Sequence, residues 1–205
     1  MVPAAENHEA DLLVLEGIAL TTAPDGSPHL APMGPMVDRD LRSFRLRPYH
    51  TSQTYQNLKR TRALVFHVVD DVTLLARAAV GEIDTPPPLV PTPSGGGWIL
   101  ADCCRWFELR VDHIDDSRER IEIQCSVADQ GTRRDFFGWN RAKHAVLEAA
   151  ILATRIGILA PAEIREQLDR LQTPVTKTAG RQESEAMKFL KGYIEERLAR
   201  LEYEH

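Results

Sequence analysis

The chain opens on strand patterns and closes on helical ones. An apolar stretch from Leu12 to Leu20, interrupted by Glu16 and Gly17, runs into Thr21-Thr22-Ala23-Pro24-Asp25-Gly26-Ser27. Asp25-Gly26 between two apolar runs is a tight-turn signal, so the region predicts a β-hairpin. The return strand runs from His29 to Val37. Pro32 and Pro35 lie within it, and because proline cannot donate to a ladder they place it at an edge or a bulge. Ser43 to Arg47 alternates Phe44 and Leu46 with Ser43, Arg45 and Arg47, the pattern of a half-buried strand. Residues 51–60 read as a short helix with Thr51 or Ser52 as N-cap. Ala63 to Val69 reads as a buried strand interrupted by His67, and Asp70-Asp71 starts a helical stretch through Val80.

From Thr85 to Gly97 the pattern dissolves into five prolines and three glycines in thirteen residues, which predicts a mobile loop or an insertion. Strands resume at Trp98–Leu100, Trp106–His113 and Ile121–Ala128. The rest is helical. Asn140 to Ile158 places Ala145, Ala149, Leu152 and Ile156 on one face. Pro161 opens a second helix, at a position where a missing N–H costs nothing. Gln182 to Leu201 puts Met187, Leu190, Ile194, Leu198 and Leu201 on one stripe. Strands first and helices after predict an α+β protein, with a β domain over 1–131 and a helical subdomain over 132–205.

Composition narrows the partners. The 205 residues carry 25 Lys and Arg against 30 Asp and Glu, a net charge of −5, so nothing favours sequence-blind binding of nucleic acid. No apolar run approaches the roughly 18 residues of a membrane span, and residues 1–11 lack the apolar core of a signal peptide. Cys103, Cys104 and Cys125 cannot form a complete disulfide framework and read as free thiols in a reducing compartment. A cytoplasmic protein is expected.

Standard site motifs are absent. Gly95-Gly96-Gly97 precedes a strand and lacks the spacing of a dinucleotide fingerprint, and neither a P-loop nor His-Glu-x-x-His occurs. Cys104, His113 and Cys125 match no zinc spacing, so no metal is expected. The informative stretch is 47–58. A phosphate requires cations and short donors arriving together, and Arg47, Thr51, Ser52 and Thr54 at a helix N-terminus have that chemistry. The plain alternative is that Thr51 and Ser52 cap a helix and Arg47 solvates an edge strand. His67 is likewise either a satisfied core histidine or a member of a site. Asp70 and Asp71 read as helix-start residues, and Asn140, Arg141, Glu148 and Arg155 as a polar stripe or a contact reaching substrate.

An ordered set of segments resembles the DUF447 family of the FMN-binding split-barrel superfamily. They are Glu16-Gly17-Ile18, Thr21-Thr22, Asp25-Gly26, Ala31-Pro32-Met33-Gly34, Thr54-Tyr55-Gln56-Asn57-Leu58, Asp70-Asp71-Val72, Asn140-Arg141-Ala142, Thr154-Arg155, Lys177-Thr178-Ala179-Gly180 and Glu185-Ala186-Met187. The resemblance implies an FMN-binding split β-barrel with an additional C-terminal all-α subdomain, and a homodimer. It also implies FMN as cofactor, with Ala31, Pro32, Met33 and Gly34 along the flavin ring and Arg47, Thr51, Ser52, Thr54 and Asn57 at the phosphate end. His67 stands where relatives tend to carry asparagine, Leu75 replaces an aromatic, and the Pro/Gly stretch is longer than usual; His67 is thereby expected at the ring pocket. Three functions follow from the resemblance: a flavin-dependent oxidoreductase acting on a small substrate, with a pterin or one-carbon compound conceivable from the family's setting; a non-catalytic FMN carrier or sensor; and a structural barrel. The sequence assigns no catalytic residue and no electron donor.

Overall fold

The computed structural model describes residues 12–83 and 85–204. In chain order the elements are β1 (Leu13–Val14), β2 (Gly17–Thr22), β3 (Pro28–Met33), β4 (Met36–Val37), β5 (Ser43–Leu46), α1 (Gln53–Thr61), β6 (Ala63–Val68), α2 (Val72–Val80), β7 (Leu89–Pro91), β8 (Trp98–Leu100), β9 (Arg105–Asp115), β10 (Glu122–Thr132), α3 (Arg141–Ala153), α4 (Pro161–Arg170), α5 (Gln172–Thr178) and α6 (Arg181–Glu204). The chain divides into two compact units, Met1–Val69 with Pro87–Asp135 and Asp70–Pro86 with Phe136–His205. A single boundary at 131/132 had α2 in the β domain. The structure places it among the helices, where Val72 and Ala76 enter the helical core.

In the β unit, eight strands form an antiparallel sheet in the order β1-β4-β5-β10-β9-β6-β2-β3. The β2–β3 hairpin forms where the turn chemistry placed it: Gly26 takes φ +85°, and the Asp25 carboxylate accepts from the N–H and hydroxyl of Ser27. β3 is an edge strand, so Pro28 and Pro32 lack donors only where few are needed. Alternation along β5, β6, β9 and β10 turns Phe44, Leu46, Phe66, Phe107, Leu109 and Ile123 into one core, which Ile121 joins from just before β10. Three rings form its centre, with Phe44 5.7 Å from Phe66 and 5.1 Å from Phe107. Gly17 allows the closest backbone approach. A Cβ there would lie 2.2 Å from the His67 carbonyl oxygen, so no other residue fits opposite β6.

The Pro/Gly stretch is neither a loose loop nor an insertion without structure. Leu89–Pro91 pairs with Trp98–Leu100 in a second, two-stranded sheet. Thr92 organises its turn: its N–H donates to the Gly97 carbonyl, its carbonyl accepts from Gly95, and its hydroxyl accepts from the Gly97 N–H. The apolar pair Leu89-Val90 opposite Ile99-Leu100 carries this strand signal, which the surrounding prolines mask.

The helical unit packs α2, α3, α4 and α6 around Ala145, Val146, Ala149, Ala150, Ile164, Leu168, Met187, Leu190, Ile194 and Leu198. Alanines on α3 let neighbouring backbones approach closely. The α6 stripe is buried as expected through Leu198. α3 stops at Ala153 rather than Ile158: the Thr154 hydroxyl donates to the Ile151 carbonyl, and Gly157 turns the chain at φ +85°. α5 is an element the sequence pattern did not show. No helix among the described residues is long and apolar enough to cross a membrane.

Candidate functional site

The phosphate-type donors gather at the start of α1. Ser52 is the N-cap, extended at φ −75°, ψ 139°, and its Oγ accepts from the Tyr55 N–H at 3.2 Å. That leaves the Ser52 hydroxyl proton free to donate. Thr51 is exposed, and the first turn of α1 contains no acidic residue to occupy its positive end. Lys59 and Arg60 stand in the last turn, the complementary arrangement. Arg47 follows β5; its side chain is 41% exposed and its Nε lies 3.9 Å from Glu122, too far for a hydrogen bond, so the guanidinium stays available. Thr54 faces inward and is buried.

Two partners of this end were not visible in sequence. The turn between β9 and β10 folds against the approach to α1: Tyr49 bridges to Arg120, whose guanidinium lies 5.8 Å from the Tyr49 ring centre, and His50 Nε2 sits 2.8 Å from the Arg118 carbonyl. Asp116 in the same turn accepts from the Tyr55 hydroxyl at 2.8 Å and from Lys59 at 3.1 Å. The Tyr55 and Lys59 bonds hold the Asp116 carboxyl below its ordinary pKa, and the bonds of Lys59 to the Tyr55 hydroxyl and to Asp116 hold its ammonium above its own. Only the β9–β10 register brings Arg118 and Arg120 to residue 49, so no local spacing announces them.

Asn57 and His67 have other work. Asn57 is 1% exposed, donates from Nδ2 to the Thr21 hydroxyl at 2.9 Å and accepts from Gln53 at 2.9 Å, tying α1 to β2. His67 is fully buried, with Nδ1 3.2 Å from the Ile18 carbonyl and Nε2 accepting the Leu100 N–H at 3.2 Å. That pairing fixes the neutral tautomer with the proton on Nδ1. Burial, opposed only by the Ile18 bond, lowers its pKa to about 4. The ring stitches β2, β6 and β8 together, and neither nitrogen is free for a ligand. Ala31, Pro32 and Met33 lie half-buried on the β3 edge, and Gly34 follows them, its Cα face closed by the Glu16 carboxylate. Thr51 and Ser52 thus stand exposed or half-exposed at the start of α1, Thr54 is buried behind them, Arg47 lies at the end of β5 near Glu122, and residues 31–34 lie on and after the β3 edge of the same unit.

Comparison with known proteins places this architecture. The family model described as the N-terminal domain of DUF447, a protein of unknown function, matches residues 15–134, and the DUF447 model that follows it matches residues 140–192. The chain belongs to the DUF447 family. An FMN-bound DUF447 protein of Methanosarcina mazei is similar in fold at a TM-score of 0.75 and 21% identity, covering 87% of this chain and 93% of that one. An FMN-binding protein of Thermus thermophilus is similar at 0.50 and 13%, covering 67% and 79%. No protein of curated function matches. The fold is a split β-barrel with added helices, the α+β class expected.

Several DUF447 segments far apart in sequence meet at one polar hub in the helical unit. Asp71 caps α2 through the N–H groups of Thr73 and Leu74, and Asn140 caps α3 through Ala142 and Lys143 while donating to the Thr178 carbonyl. Glu183 reaches back to the Gly180 N–H at the start of α6. At the centre Lys143 pairs with Glu183 at 2.8 Å and donates to the Asp70 carbonyl at 2.7 Å. The Lys143 and Gly180 bonds outweigh desolvation and hold the Glu183 carboxyl below its ordinary range. Three positive helix ends and one ammonium are therefore answered by Asp70, Asp71, Asn140 and Glu183, leaving the hub satisfied. Asp71 is the helix-start residue expected. The Asp70 carboxylate instead accepts the Phe137 N–H at 2.9 Å, fixing the segment that leads into α3.

Proposed function

We propose that the protein binds FMN in its split barrel and works as a flavin-dependent oxidoreductase on a small substrate. The supporting observation is the donor set at α1: hydroxyls of Thr51 and Ser52, a helix N-terminus without acidic residues, and the available Arg47 suit a terminal phosphate dianion. The fold and family shared with the FMN-bound Methanosarcina mazei protein point to the same ligand. In this reading Arg47 supplies charge, Thr51 and Ser52 donate hydrogen bonds, and the 31–34 edge lies along the ring. The buried His67 and Asn57 act at one remove, by holding β2, β6, β8 and α1 in place. Bound flavin would supply hydride or electron transfer; the protein supplies position and electrostatics. No side chain of the barrel argues for a pterin or one-carbon substrate, which stands on the resemblance alone. The assembly we propose is a homodimer.

The test is an absorbance spectrum of the purified protein before and after addition of FMN, followed by NADH or NADPH under anaerobic conditions. A bound flavin that is reduced, by nicotinamide or another donor, is the expected result. A protein that takes up no FMN refutes the reading, and a bound flavin that no donor reduces makes the protein a carrier.

A further inference from the structure

Helix α6 has two apolar faces, and the helical core covers only one of them. Met187, Leu190, Ile194 and Leu198 enter that core. Beside them Phe189, Gly192 and Tyr193 share a second face at i, i+3 and i+4, with both rings half-buried and Gly192 exposed. They floor a groove of about 430 Å³, which Glu82, just beyond the end of α2, also borders. The Arg77 guanidinium backs this floor, 4.7 Å from the Phe189 ring centre. Glycine is the poorest helix former after proline, yet Gly192 sits in the middle of the 24-residue α6. At Gly17 a side chain would collide with the chain itself, whereas at Gly192 a Cβ would meet nothing within 4 Å. No contact among the described residues requires this glycine, and its missing side chain leaves a notch beside the two rings.

The rim of the groove is acidic. Glu82, Glu185 and Glu196 border it against one ammonium, that of Lys188. Glu82 has no ionic partner among the described residues, and the C-terminal end of α2 beside it adds the negative end of a helix dipole. Glu185 and Glu196 pair with Arg181 and Arg200 one turn away. Neither arginine borders the groove, and exposed i,i+4 pairs of this kind are weak enough to exchange partners. Glu185 and Glu196 lie roughly 16 Å apart along the helix axis, so a carboxylate stands at each end of the apolar strip.

We infer that this groove docks a basic amphipathic helix of another protein. A helix laid along α6 sets apolar side chains at its own i, i+3 and i+4 against Phe189, the Gly192 notch and Tyr193, where the missing side chain lets the two backbones approach. Lysines or arginines about three turns apart on the incoming helix then meet Glu185 and Glu196, and Glu82 answers a third from the α2 side. The same charges disfavour other occupants. A second copy docked by this face about a two-fold axis would bring Glu185 of one opposite Glu196 of the other. An acidic peptide or an anionic lipid surface would meet three carboxylates. The groove is short, so the contact belongs to the small, transient class of interface, with a Kd on the order of 10–100 µM. The inference involves α2 and α6 alone and does not depend on flavin.

The experiment titrates the isotope-labelled, flavin-free full chain with a synthetic peptide of about four helical turns, leucine and alanine on one face and lysine on the other, followed by amide NMR. Shifts should cluster at residues 185–196 and 81–82. A peptide with glutamate for every lysine should bind at least about ten-fold more weakly. Gly192→Gln fills the notch and should weaken the lysine peptide by about ten-fold. Glu185→Lys/Glu196→Lys should weaken it by about ten-fold or more and strengthen the glutamate peptide by a similar factor. All three positions are exposed, and circular dichroism checks that each variant folds. Absence of binding, shifts outside the groove, equal binding of the two peptides, or an affinity that Gly192→Gln leaves unchanged would overturn the assignment. So would an oligomeric state that changes with Gly192→Gln in light scattering, because a second copy would then cover this face.

Discussion

Stability of the barrel unit should fall steeply between neutral pH and pH 4, and His67 should be the main cause. The ring is fully buried and its pKa is lowered to about 4, while the unfolded chain has an ordinary histidine near 6.5. Above pH 6.5 the ring is neutral in both states and the fold keeps its full stability. As pH falls from 6.5 to 4, the unfolded chain takes up a proton that the folded one refuses, so stability declines by about 1.4 kcal/mol per pH unit. The total comes to about 3 kcal/mol, a sizeable share of the 5–15 kcal/mol typical of a domain. Protonation below pH 4 also turns Nε2 from an acceptor into a donor facing the Leu100 N–H, which severs β8 from β6. The assay is urea unfolding of wild type and His67→Gln across pH 4.5–7.5, chosen as roughly the window of the shift, followed by barrel fluorescence. The variant should be less stable at neutral pH, having lost one or both backbone bonds, yet show a much flatter decline towards acid. Parallel curves for the two proteins, or a His67 proton resonance titrating near 6.5 in the folded state, would refute the reasoning.

Other perturbations test other links. Gly17→Ala should prevent the barrel from folding at physiological temperature, since its Cβ would fall 2.2 Å from the His67 carbonyl; soluble expression and circular dichroism decide. Lys143→Met leaves Glu183 buried without its partner and should cost the helical unit roughly 3 kcal/mol, read by thermal unfolding, with Lys143→Met/Glu183→Leu recovering part of the loss. Leu190→Ala, at a fully buried position, should cost about 2–5 kcal/mol in the same assay. Arg47→Ala should leave apo-protein stability within about 0.5 kcal/mol of wild type, because the side chain is 41% exposed and makes only a 3.9 Å ion pair.

What the sequence showed was local. The Asp25-Gly26 turn, the Ser52 cap, the Asp71 and Pro161 helix starts and the α6 stripe each depend on a few adjacent residues, and each is present. α5 escaped because Pro174 reads as a breaker, although in the first turn of a helix its missing N–H costs nothing. β7 escaped because prolines on both sides hide the Leu89-Val90 pair. The hub and the Arg118–Arg120 turn were illegible for another reason: residues 70, 143, 178 and 183, or 49 and 120, meet only through tertiary packing. His67 and Asn57 show the converse difficulty. Their chemistry suits a binding site, and only their partners reveal that the backbone and Thr21 already use it.

The central claim is that a flavin phosphate sits on the donors at the start of α1, and relative affinity for FMN and riboflavin tests it most directly. Both ligands present the same ring; only FMN has the phosphate. Charge-assisted hydrogen bonds contribute about 1.5–3 kcal/mol each, so fluorescence quenching should find FMN bound at least about ten-fold more tightly than riboflavin. Arg47→Ala should remove most of that difference by weakening FMN alone. Equal affinities for the two flavins in the wild-type protein, or an FMN affinity that Arg47→Ala leaves unchanged, would contradict the account.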